Sequence, residues 1–186
     1  MTSRFLCAIF LFLVAAILPV SAADWLVVAV PQEDGQVLDL SRPFHVILTN
    51  RTSHNLTVWK DSCSWGYFNL SFEFTGKDGK TIKVEKNRKV YLTRNGPSGF
   101  VVLPGCAYPM TVNLWGRSSG GATEWLGTEA LRGSMKMKTL YQNTNAGSPE
   151  TKQVSGALTV DSKKKPVAPI WIGRVASDPI RVSIQR

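Results

Sequence analysis

Apolar and polar residues alternate with a period of two through much of this chain. In YFNLSFEF, residues 67–74, an extended backbone puts Phe68, Leu70, Phe72 and Phe74 on one side and Tyr67, Asn69, Ser71 and Glu73 on the other. The first set is expected to face a core and the second to face solvent. GKDGK follows with an Asp78-Gly79 hairpin turn. TIKVEK then returns with Ile82 and Val84 inward and Thr81, Lys83 and Glu85 outward.

The same reading extends along the chain. DWLVVAV is a continuous apolar run suited to a buried or doubly packed strand. RPFHVILTNRTSHNLTVW predicts two strands, residues 44–49 and 56–59, joined by a polar turn over residues 50–55. FVVLPG and PMTVNLW follow, the second with Met110, Val112 and Leu114 alternating with Thr111 and Asn113. SMKMKTLY and PIRVSIQR close the series, with Ile180, Val182 and Ile184 on one side. Only ATEWLGTEALRG could form a short helix. About eight or nine short strands, with turn signals between them and no βαβ alternation, predict an all-β fold. The expected architecture is a single antiparallel immunoglobulin-like β-sandwich with at most one short helix. No internal repeat or composition shift marks a second domain, so residues 24–186 are read as one.

The ends and the composition add a compartment. Arg4 precedes an apolar run over residues 5–18, Pro19 breaks it, and Val20-Ser21-Ala22 offers small residues for cleavage. Residues 1–23 therefore read as a secretory signal peptide, interrupted short of the roughly 20 residues that a spanning helix needs. The expected product is exported, whether extracellular, at the cell surface or periplasmic, and has no transmembrane segment. Of 3 cysteines, Cys7 lies in the signal. Cys63 and Cys106 are expected to pair as a disulfide in an oxidising compartment, worth at most about 4 kcal/mol. The surplus of 22 Lys and Arg over 13 Asp and Glu favours acidic partners such as glycans or phospholipid. Export sets nucleic acid aside.

Catalytic patterns are few. Gly116-Arg117-Ser118-Ser119-Gly120 matches G-x-S-x-G, but the nucleophile elbow needs a later histidine and a parallel sheet. His45 and His54 both precede the motif, so a Ser/Gly loop explains it better. Cys63 with His54 could make a thiolate–imidazolium pair, a weaker reading than the disulfide. No cysteine or histidine spacing suits a metal, and no carboxylates form a recognisable acid/base pair. Neither enzyme activity nor a cofactor is expected.

The binding candidates are Trp65 and Tyr67, beside the alternating strand, and the basic residues Lys80, Lys83, Lys86, Arg88 and Lys89. Rings offer flat apolar faces to sugars, yet most aromatic residues in a sandwich are core. Lysines can gather a polyanion, yet on an outward strand they also block edge-to-edge association. Residues 163–165, Lys-Lys-Lys, read as a solvated loop. Asn50, Asn55 and Asn69 begin N-x-S/T triplets, which matter only in a glycosylating host.

SWGYFNLSFEFTGKDGK, VVLPGCAYPMTVNL and IWIGRVASDPIRVSI together resemble uncharacterised secreted bacterial domains with an immunoglobulin-like sandwich. The resemblance implies a fold and an exported location, with no reaction and no catalytic residues. Cys106 stands where that pattern would carry a polar residue, which favours a disulfide particular to this branch. The expected function is a secreted, non-enzymatic interaction or structural module for an unknown extracellular protein or glycan. The alternative is a carbohydrate or acidic-polymer binding module. A secreted protease inhibitor rests on fold analogy alone.

Overall fold

The computed structural model describes residues 26–33, 35–88, 98–117, 121–144 and 169–185. The expected signal segment, Lys89, residues 118–120 of the G-x-S-x-G match and residues 163–165 lie outside them. Among the described residues the strands are β1 (Leu26–Ala29), β2 (Leu38–Asp39), β3 (Phe44–Asn50), β4 (Leu56–Trp59), β5 (Leu70–Thr75) and β6 (Thr81–Lys86). They continue as β7 (Gly99–Val102), β8 (Ala107–Val112), β9 (Trp125–Leu126), β10 (Gly133–Asn143), β11 (Gly173–Ala176) and β12 (Ile180–Ile184). One 3-10 turn, Thr128–Ala130, stands where the short helix was expected. Gly127 explains why: its φ is 88°, and a Cβ there would lie 2.4 Å from the Lys83 carbonyl oxygen.

The fold is an all-β sandwich. A small antiparallel sheet runs β1-β3-β8, and a large sheet runs β2-β12-β10-β5-β6-β9. The long strand β10 is the spine of the large sheet. Its first half pairs with β12 (Met137↔Ile180) and its second half with β11 (Leu140↔Ala176). At the handover, Ser177 N–H donates to the Thr139 carbonyl at 2.9 Å, and its hydroxyl oxygen accepts from Thr139 N–H at 3.0 Å. One pairing departs from the antiparallel expectation: β2 lies parallel to β12.

The core lies between the two sheets. Val46 and Leu48 of β3 and Met110 and Val112 of β8 meet Phe72 and Phe74 of β5, Val84 of β6 and Met137 of β10. Phe44 crosses from the small sheet to touch Phe72 edge-on at 5.7 Å. Each such side chain contributes roughly 1.5–3 kcal/mol by leaving water. The apolar run at β1 buries only alternate residues, Leu26 and Val28, with Val27 and Ala29 more exposed. It is therefore packed on one face, at the edge of the small sheet.

The β4–β7 ribbon is buried along all of β4. The reason is a second neighbour: Thr57 N–H donates to the Pro169 carbonyl at 2.8 Å, and Trp171 N–H donates to the Thr57 carbonyl at 2.9 Å. Asn50, fully buried, ties the ribbon to β3. Its amide donates to the carbonyls of His54 and Val102, each at 2.8 Å. Its oxygen accepts from Thr52 N–H at 2.9 Å and Thr52 Oγ1 at 2.7 Å.

The expected disulfide is not formed. Cys63 and Cys106 are free thiols, the first buried and the second exposed. Cys63 Sγ donates to the carbonyls of Lys60 and Ser98, at the Trp59–Gly99 end of the ribbon. Cys106 follows the Leu56–Val102 end, where its carbonyl accepts from Asn50 N–H. Three rungs of ribbon, roughly 10 Å at about 3.4 Å per residue, separate those ends, beyond the roughly 4.4–6.8 Å Cα spacing of a bridge.

Candidate functional site

The segment before β5 is a turn. Gly66 N–H and Tyr67 N–H both donate to the Cys63 carbonyl, at 3.0 and 2.9 Å, and Asn69 N–H donates to the Gly66 carbonyl at 3.1 Å. Gly66 permits the coil to close, since a Cβ there would stand 2.2 Å from the Lys60 carbonyl oxygen. The strand alternation therefore starts at Leu70, and the two rings ahead of it exchange their expected sides. Tyr67 is buried at 4% exposure, whereas Phe68 is 49% exposed. The two rings meet edge to face at 5.0 Å and 86°.

Lys86 also moves inward. It shares the parity of Ile82 and Val84 on β6 and is 8% exposed. Its ammonium lies 4.2 Å from the Trp125 ring centroid and 4.9 Å from that of Tyr67, and it forms an ion pair with Glu124. Such an enclosed cation is held by ring quadrupoles as well as by its counter-charge. The Tyr67 hydroxyl and Trp125 Nε1 are buried without a partner among the described residues. Burial, and secondarily the charge of Glu124, push the Tyr67 phenol up to about 12.

Outside this buried column lies a groove of about 270 Å³, lined by residues including Phe68, Asn69, Lys83, Glu85, Arg88 and Gln142. The Arg88 guanidinium stands 6.0 Å from the Phe68 ring centroid. Lys83 and Glu85 form an exposed ion pair at 2.5 Å, of the kind that contributes little to stability. The groove occupies the outward face of β10, β5 and β6.

A second basic region sits at the other end of the large sheet, around the β5–β6 hairpin, where one groove opens at the end of the sandwich beside Ile82 and the other lies on the outward face beside Thr75. Two adjoining grooves share Gly76, Lys77, Ser134 and Met135. One, of about 530 Å³, adds Lys80 and Arg132; the other, of about 400 Å³, adds Lys136 and Arg181. Asp78, 3.7 Å from Lys80, is the sole carboxylate among their described lining residues. Lys136 and Arg181 are register partners on β10 and β12.

The sequence candidates thus separate. Lys83 and Arg88 line the Phe68 groove, and Lys80 belongs to the hairpin end. Lys86, although 8% exposed, also reaches the wall of the Phe68 groove, whereas Tyr67 is a buried support that lines none of the grooves. Trp65 is half-buried against Trp59 at 6.4 Å and lines none of these grooves. Lys89 lies outside the described residues. Phe68, Gln142, Lys136 and Arg181 are additions. The alternation of SMKMKTLY and PIRVSIQR already turns Lys136 and Arg181 outward, but their adjacency comes from strand pairing.

The catalytic alternatives are not assembled. His54 precedes β4 and Cys63 follows it, so the strand holds them apart. His45 Nδ1 lies 3.3 Å from Thr111 Oγ1 on the small sheet. Among the described residues no group of three or more His, Cys, Asp or Glu side chains could hold a metal. No helix among them is long and apolar enough to cross a membrane.

Fold and surface together define an all-β sandwich with a basic hairpin end and a polar, ring-lined groove. No protein-family model, curated protein or solved structure matches the chain.

Proposed function

We propose that this chain is an exported, non-enzymatic binding module that holds an acidic polymer against the outward face of its large sheet. The observation that carries the proposal is the convergence of Lys77, Lys80, Arg132, Lys136 and Arg181 on two adjoining grooves whose described lining contains one carboxylate. Clustered like charge raises the local potential and favours a polyanion that supplies several counter-charges at once. From the Lys136–Thr75 rung to the last rung, where Gln142 N–H donates to the Asn69 carbonyl, the face runs roughly 20 Å at about 3.4 Å per residue. Lys138 and Lys83 lie between its ends, flanking Glu73 in one cross-strand row. The length suits an extended chain better than a single small anion.

The test is salt-dependent retention on an immobilised acidic polymer. The unmutated protein is expected to elute at high salt, and Lys136→Glu with Arg181→Glu to elute much earlier at an unchanged melting temperature. Retention equal to that of a neutral protein, or a double variant that elutes with the parent, refutes the proposal. Lys86 is unsuited to charge reversal because the substitution would bury a carboxylate beside Glu124.

A further inference from the structure

We infer that the groove at Phe68 is a sugar-ring subsite, so that the polymer held by the sheet is an acidic glycan with carboxylated rings. The inference rests on the polyanion reading and narrows its ligand. A surface meant only for charge needs cations and no exposed ring. Here the half-exposed Phe68 forms part of a concave, otherwise polar wall. Binding sites of this kind pair one apolar surface with a few convergent polar groups.

The ring is also held in place. Tyr67 presses against it at 86°, and Tyr67 in turn lies under the Lys86 ammonium, which the Trp125 ring and Glu124 fix from the other side. The column Trp125, Lys86, Tyr67, Phe68 makes the platform rigid before any ligand arrives, and preorganisation of that sort lowers the ordering cost of binding.

The polar groups around the platform match a sugar acid. A pyranose presents a C–H face to Phe68 and hydroxyls around its rim. Glu85 and the Gln142 amide can accept from hydroxyls, while Lys83 and Arg88 can take the carboxylate. Arg88 sits at the roughly 6 Å limit of ring attraction, so little holds it over Phe68 when a carboxylate competes. A phosphate polymer would use the same cations and leave the ring idle.

Titration calorimetry with three probes separates the cases: an oligogalacturonate, inorganic polyphosphate and a single-stranded oligonucleotide. The protein is expected to bind oligogalacturonate. Phe68→Ala should weaken that binding about tenfold and change polyphosphate binding less than twofold, while Phe68→Tyr retains affinity. Phe68 is half-exposed, so Phe68→Tyr should keep the parent's melting temperature and Phe68→Ala should lose little beyond its edge contact with Tyr67, leaving both folded at the assay temperature. Lys136→Glu with Arg181→Glu should weaken both polyanions. Equal affinity of Phe68→Ala and parent for oligogalacturonate, with polyphosphate bound, overturns the subsite and leaves the polyanion reading standing. Binding of neither polyanion overturns both. A preference for the oligonucleotide that disappears in Phe68→Ala replaces the glycan with nucleic acid and overturns the inference.

Discussion

Replacing Lys86 isolates the contribution of an ammonium enclosed by two rings and one carboxylate. Lys86→Met keeps most of the stem and removes the charge. The loss then comprises attraction to Trp125 and Tyr67, about 0.5–2 kcal/mol together, and a part-buried pair. The pair is discounted from the roughly 3–5 kcal/mol of a fully buried one, because the Glu124 side chain is 32% exposed and can rehydrate. A net fall of about 1–2 kcal/mol follows, or roughly 3–6 °C at about 3 °C per kcal/mol for a domain of this size. Lys86→Ala also gives up the stem, at about 0.8 kcal/mol per methylene, and should fall by about 3–4 kcal/mol. Tryptophan fluorescence reports unfolding well, since Trp59 and Trp125 are each 1% exposed. A double-mutant cycle of Lys86→Met with Glu124→Gln should give a coupling of about 1 kcal/mol. If Lys86→Met is as stable as the parent, the enclosed charge contributes nothing, and the residue is a hydrophobic spacer with a charged tip.

Three further outcomes are expected. Because folding holds the Tyr67 phenol at about 12, above its ordinary value of about 10, its neutral form stabilises the fold fully below pH 10, and this is lost as pH climbs towards 12. Tyr67→Phe should make the alkaline loss shallower in urea titrations and be neutral or slightly stabilising at neutral pH, since the hydroxyl makes no hydrogen bond among the described residues; an unchanged alkaline limb contradicts this. Gly66→Ala drives a methyl into the Lys60 carbonyl and should cost about 1–3 kcal/mol in denaturant melts; a wild-type midpoint would show that the turn can move aside. In the native protein a thiol reagent should label Cys106 quickly and Cys63 only on unfolding; peptide mapping that finds them linked would reverse the assignment.

Most strands were legible because alternation needs only neighbouring residues. Leu70, Phe72 and Phe74 face inward as the pattern requires, and the Asp78-Gly79 turn closes the hairpin, with Gly79 at φ 79°. Lys86 reads as a surface cation because of its charge, although its position two steps after Val84 puts it on the same inward face. Tyr67 and Phe68 were not legible, because the turn at Cys63–Gly66 resets the phase and its signal, one glycine packed on a carbonyl, has no spacing to read. The hairpin-end cations were legible singly but not as a group. Lys136 meets Arg181 through a register set by two strands more than forty positions apart, and alternation carries no information about which rung faces which.

Asn50 carries a consequence for how the protein is produced. In a host that glycosylates secreted chains, Asn50-Arg51-Thr52 would be offered to the oligosaccharide machinery before β7 exists to cover it. The nitrogen that would carry the sugar is the one that binds the His54 and Val102 carbonyls in the finished fold. Asn69, in Asn69-Leu70-Ser71, is likewise buried at 7% exposure. A chain modified at either position could not complete its ribbon or its strand, so material from such a host should divide into unmodified, folded protein and modified, retained protein. Asn50 thus makes the choice of expression host a structural decision.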